Sequence, residues 1–112
     1  MGELTIADEI EDVGQEDIVL SEGVLGYNIN IHGEHVGAIE AVPGQLEYIE
    51  IEMHWEGKGV ARAALNKFID LSREHGHSEV TTNNATHPAM EHILETEGFE
   101  RKSEDYGWVK QI

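Results

Sequence analysis

The chain of 112 residues sets 23 acidic side chains against 7 basic ones, a formal net charge of −16, and has no cysteine. That length suits one domain with a modest core, and the charge repels nucleic acid and anionic lipid, so neither is an expected partner. Without cysteine there are no disulfides and no thiol chemistry, and a metal would have only histidine and carboxylate ligands.

Residues Met1 to Gly23 are the least patterned. Leu4, Ile6, Ile10 and Val13 fit a strand followed by a short helix, and Asp17 to Leu20 fits another strand. From Gly26 the pattern sharpens. Tyr27, Ile29 and Ile31 alternate with Asn28, Asn30 and His32, which predicts a half-buried strand. Gly33-Glu34 predicts a two-residue hairpin turn with glycine first. A second strand, His35 to Val42, puts Gly37, Ile39 and Ala41 on one face, and Pro43-Gly44 reads as a type II turn. The third strand alternates Leu46, Ile49, Ile51 and Met53, with a phase slip at Glu47-Tyr48 that predicts a bulge. These strands form an antiparallel meander.

A helix is predicted over roughly 59–75, with Val60, Ala61, Ala64, Leu65, Phe68, Ile69 and Ser72 in one stripe and Gly76 as its left-handed cap. Glu79 to Asn83 follows as a short strand. Pro88 opens a second helix over roughly 88–97, capped by His87 or Thr86, buried through Met90, Ile93 and Leu94, and stopped by Gly98. Phe99 to Lys102 and Tyr106 to Lys110 are two last strands around the turn Ser103-Glu104-Asp105. The order predicts a single α+β domain over 1–112, a mostly antiparallel sheet with two main helices on it.

The chemistry centres on Glu56-Gly57-Lys58-Gly59-Val60-Ala61-Arg62, where the third strand runs into the first helix. A glycine turn before a helix exposes unpartnered backbone N–H groups at the positive helix end, which suits an anion such as a phosphate. The turn is not a Walker P-loop, since no Gly-x-x-x-x-Gly-Lys-Ser/Thr is present. It is not a dinucleotide-binding turn either, because Arg62 stands where the third glycine belongs.

The segment from Ile49 to Ala61 resembles the acetyl-CoA-binding signature of the GNAT N-acetyltransferase superfamily, Gln/Arg-x-x-Gly-x-Gly/Ala between a strand and a helix. Gly59 and Ala61 match its last two fixed positions, and Glu56 replaces the usual Gln or Arg. A second segment, His87 to Phe99, is similar to the family's Asn-x-x-Ala-x-x-x-Tyr-x-x-x-Gly-Phe. Gly98-Phe99 matches, while His87, Met90 and Leu94 take the Asn, Ala and Tyr positions. The resemblance covers about residues 26–110.

The resemblance implies an N-acetyltransferase that moves an acetyl group from acetyl-CoA to a primary amine. The pyrophosphate would lie over the backbone of Glu56, Gly57, Lys58, Gly59, Val60 and Ala61, with Arg62 and Lys58 adding charge and His87 at the Asn position. Pantetheine would pair with the third strand near Ile51 and Met53, and the Met53 N–H would face the thioester oxygen. A carboxylate on that strand, Glu50 or Glu52, would take the amine's proton, with His54 a weaker choice on the same face. The family's tyrosine acid is absent, since Leu94 occupies its place, and Tyr106 is the substitute to consider.

Few residues precede Tyr27, so the resemblance also implies that the two helices walling the family's acceptor side are short or missing over 1–25. An open acceptor side suits a large substrate such as a protein terminus or lysine, a homodimer that lends a wall, or a noncatalytic acyl-CoA-binding or protein-interaction module on the same fold. The acceptor itself is expected to be an amine-bearing small molecule or protein. The acidity reads either as a lure for cationic amines or as the solvated coat of a halophilic-like protein. The acids are spread along the whole chain, which favours the coat. The seven histidines show no metal spacing, so no metal is expected. With no long apolar run and no basic or apolar leader, the chain reads as cytoplasmic.

Overall fold

The computed structural model describes residues 12–83, 88–102 and 107–112. The strand and helix expected from Leu4, Ile6 and Ile10, the cap at Thr86 or His87, and the turn at 103–105 with Tyr106 lie outside them.

Among the described residues, seven strands form one sheet in the order β1-β2-β3-β4-β5-β7-β6. Four of them make the meander: β1 (Ile18–Glu22), β2 (Gly26–Ile31), β3 (Glu34–Val42) and β4 (Gln45–Ile51). The chain crosses through helix α1 (Val60–Glu74) to β5 (Glu79–Thr82), which pairs parallel to β4. Helix α2 (Pro88–Thr96) leads to β6 (Glu100–Arg101) and β7 (Trp108–Gln111), antiparallel to each other. The alternation does what it should: Ile29, Ile39 and Ile49 share the face toward α1, and Tyr27 on that face meets Phe68 at 6.3 Å between ring centroids. The other face carries Asn28, Glu40, Tyr48 and Glu50. Glu47 is the extra residue where Glu40 pairs with Tyr48 but Ala41 pairs with Leu46, so the bulge sits at the phase slip.

Two local expectations are corrected. The β2–β3 turn is His32-Gly33, not Gly33-Glu34. His32 and Gly33 both have positive φ, 49° and 86°, as a type I′ turn demands, and Glu34 already pairs with Ile31. The third strand stops at Ile51. Met53–Trp55 turn into a single 3-10 turn, which leaves Met53 82% exposed and buries Trp55 in its stead.

Val60, Ala63, Ala64, Leu65, Phe68, Ile69 and Ser72 form the buried stripe of α1, with Gly76 left-handed just after its end. Ala63 joins the stripe, and Ala61 sits half-buried beside it. Ser72 is polar there for a reason: its buried Oγ accepts the N–H of Gly44 at 3.0 Å and ties the β3–β4 turn to the helix. Leu94 of α2 is fully buried, with Met90 and Ile93 packed against the core. Among the described residues, no helix is long and apolar enough to cross a membrane.

The two helices are joined by one carboxylate. Glu97 accepts from Arg62 Nη1 at 2.6 Å and from Asn66 Nδ2 at 2.7 Å. Burial alone would raise its pKa, but those two hydrogen bonds and the charges of Arg62 and Lys110 outweigh it and hold the carboxyl below the ordinary Glu range. A lowered folded value means the unfolded chain takes the proton first. The stabilisation is therefore complete above the ordinary Glu pKa and is lost as pH falls through the lower folded value. Urea unfolding of Glu97→Gln beside the unaltered chain should show a gap of about 1 kcal/mol near neutral pH. The two curves should converge below the carboxylate range. A gap that persists in acid would rule the ion pair out as its source.

Candidate functional site

Strands β4 and β5 touch only at their narrow end. The parallel ladder holds Gln45 to Thr81 and Leu46 to Thr82 and goes no further. Among the described residues no strand pairs with Tyr48 to Ile51 on that edge. The Glu52 N–H donates to the Val36 carbonyl at 2.9 Å and so points into β3. Strand alternation then turns the Ile51 N–H the other way, into the gap. The sheet thus opens like a V with one live backbone edge.

A cleft of about 750 Å³ fills this opening. It brings Tyr48, Ile49, Glu50 and Ile51 of β4 together with Glu56, Gly57, Gly59, Val60, Ala61 and Arg62, and Ala89 and Ile93 of α2 close it. Gly59 caps α1 in the left-handed conformation, no side chain caps the helix, and no acidic residue sits in its first turn. The first N–H groups of α1 are therefore left to a ligand. Gly57 also has positive φ, and a Cβ placed there would meet nothing within 4 Å, so the turn is open to an approaching anion.

The turn is held from behind. Trp55 is fully buried, and its indole N–H donates to Glu34 Oε2 at 2.9 Å. Val13 donates its N–H to the Lys58 carbonyl at 2.8 Å, strapping the N-terminal segment to the turn. That segment is fixed in turn by Gly14, whose N–H meets Asp17 Oδ2 at 3.0 Å, and by Asp17 with His32 at 3.1 Å. The Gly14 hydrogen bond, then His32, keeps the Asp17 carboxyl below its ordinary value. Gln15 reaches Asp70 of α1 from the same segment.

Most of the residues singled out from sequence converge on the cleft, but not all. Glu50 and Ile51 line it; Glu52, Met53 and Lys58 do not, and His87 lies outside the described residues. Arg62 lines it too, yet its guanidinium is already bonded to Glu97 and Thr96, so much of its charge is spent on the helix pair. Sequence reasoning missed Tyr48, Ala89 and Ile93. Tyr48 had a readable signal, since it follows the bulge on the strand that carries Glu50. Ala89 and Ile93 reach the cleft only through tertiary packing.

The turn Gly23 to Leu25 joins β1 directly to β2, so no helix stands between those strands. Among the described residues, the chain supplies no helical wall from between those two strands.

No family model matches the chain, and no curated protein matches it. Among solved structures it is similar to a crystal structure from Rhodopseudomonas palustris described as a GCN5-related N-acetyltransferase, aminotransferase class-II. The TM-score is 0.64 at 13% sequence identity, over 77% of this chain and 60% of that one. The chain therefore spans about three fifths of that protein's length. With its splayed β4–β5 pair and a glycine turn opening α1, this chain carries the fold of the GNAT N-acetyltransferases.

Proposed function

We propose that the protein is an acetyl-CoA-dependent N-acetyltransferase acting on a primary amine. The observation that carries this reading is the union, in one cleft, of a live β4 edge with an uncapped helix N-terminus behind a turn of two left-handed glycines. A strand edge suits the amide-bearing pantetheine arm, and the helix terminus suits its pyrophosphate. The thioester supplies an activated acetyl group: a C–N bond forms to the amine as the C–S bond breaks, and a thiolate leaves.

The chain's part is to bind, polarise and carry off protons. The Ile51 N–H, turned into the opening, is the donor best aimed at the oxygen where negative charge grows. Met53 is replaced in that role, because its residue has left the strand. Glu50 takes the first proton from the ammonium and passes it to solvent; the second, shed by the nitrogen once the C–N bond has formed, ends on the departing thiolate. Glu50 is preferred to Glu52 because only Glu50 lines the cleft. Glu56 is exposed at the cleft mouth, where its charge opposes phosphate, so its side chain has to swing outward.

Calorimetric titration with acetyl-CoA in high-salt buffer tests the reading. Saturable binding is expected, and Gly59→Glu should abolish it while leaving the circular dichroism spectrum intact. Glu50→Gln should keep binding and lower thiol release with amine acceptors at least about a hundredfold. Absence of acetyl-CoA binding by the folded, unaltered chain would reject the proposal.

A further inference from the structure

A second cavity, of about 250 Å³, lies on the sheet face away from α1. Two cross-strand rows build its floor and rim: Asn28, Ala38 and Glu50 in one, Gly26, Glu40 and Tyr48 in the next. Ala38 and Gly26 are the small floor residues, and the polar side chains rise around them. The β1–β2 turn forms the near wall, and its Val24 and Leu25 are among the most exposed apolar side chains of the molecule. Both Tyr48 and Glu50 also line the β4–β5 cleft. The two hollows thus meet at one pair of residues from opposite faces of the sheet, and the proton acceptor proposed above stands at their junction.

The rim has two carboxylates and, among the described residues, neither Glu40 nor Glu50 has a cationic partner. Glu40 faces Tyr48 and stands diagonal to Glu50, a placement that sets the two residues about 7–8 Å apart, with their Cβ atoms somewhat closer. One carboxylate is enough to bind and deprotonate an ammonium group, so the second is surplus to a simple amine. Two ammonium groups on one aliphatic stem of about four to six methylenes span that gap, and the stem would rest on Ala38 and cover Leu25. A chain of net charge −16 concentrates such dications at its surface before they dock.

We propose that this cavity is the acceptor site and that the acceptor is an aliphatic diamine, one end at Glu50 for reaction and the other held by Glu40. The assignment rests on the acetyl-transfer reading, and its test separates the two. The protein is titrated with 1,5-diaminopentane and with pentylamine, at a salt concentration where it stays folded, and separately with acetyl-CoA. The diamine should bind about tenfold tighter than the monoamine. Glu40→Gln should erase that preference, and Ala38→Trp, which fills the floor from the solvent side, should block diamine binding. Neither change should alter acetyl-CoA affinity. Equal affinity for the two amines, no saturation by the diamine, or a preference that survives Glu40→Gln overturns the proposal even if acetyl-CoA binds normally. A diamine preference that disappears with Glu40→Gln, in a chain that does not bind acetyl-CoA, keeps the cavity as a diamine site and rejects the transfer chemistry.

Discussion

Trp55→Ala is expected to remove about 3–5 kcal/mol of stability, the usual cost of emptying a buried aromatic site. A domain of this size holds only about 5–15 kcal/mol in all, so the variant should sit near its unfolding threshold. Trp55 is the largest fully buried side chain in the molecule, and it lies between the end of β4 and the glycine turn. Its removal empties the space that positions the turn, and it also leaves Glu34 without the indole donor. Glu34→Ala isolates the second effect. It leaves a buried N–H unpaired and should cost about 1–3 kcal/mol. Urea midpoints for the two variants, read beside acetyl-CoA titration, give the comparison. A Trp55→Ala loss below that of Glu34→Ala would show that packing behind the turn is not what holds it.

Gly37→Ala should cost about 1–3 kcal/mol, the penalty of forcing one methyl into a filled space. The cause is position. Gly37 pairs with Ile51, and a Cβ on it would collide with the Glu50 carbonyl oxygen, a backbone atom that cannot swing aside. Strands β3 and β4 must then part where Glu50 is mounted, so amine-dependent thiol release should fall along with stability. Gly33→Ala is the contrast. That glycine has positive φ but open space around it, so only the conformational cost of about 1 kcal/mol applies. Equal losses at the two sites would mean that the collision relaxes at no cost.

The meander was legible because β2, β3 and β4 each bury one face, and a half-buried strand writes its period into the sequence. The bulge at Glu47 and the left-handed Gly76 were legible for similar local reasons. The β2–β3 turn was misplaced by one residue because His32 takes a positive φ, which is uncommon outside glycine even though His adopts it more readily than most residues. The end of β4 was misread because Met53 continues the apolar alternation, while the buried anchor is Trp55, two residues on. Glu50 and Glu52 were indistinguishable, being alike in type and parity; what separates them is that β4 ends at Ile51, which leaves Glu50 on the strand beside the cleft and Glu52 beyond it. The bond from Arg62 to Glu97 crosses two elements and leaves no trace in either segment. Nor did any pattern announce the second cavity, which needs three strands in register before its rim exists.

The two-residue ladder between β4 and β5 also bears on the order of assembly. The meander closes through short hairpins, so its contacts form early and at low entropic cost. Gln45 meets Thr81 only after α1 has folded back across the sheet, and that pairing is brief. The cleft is the unfilled remainder of this late seam. The nascent chain can therefore hold a finished β1–β4 block while it still has no binding site, and a ligand wedged into the seam would slow its reopening more than it would speed its closure.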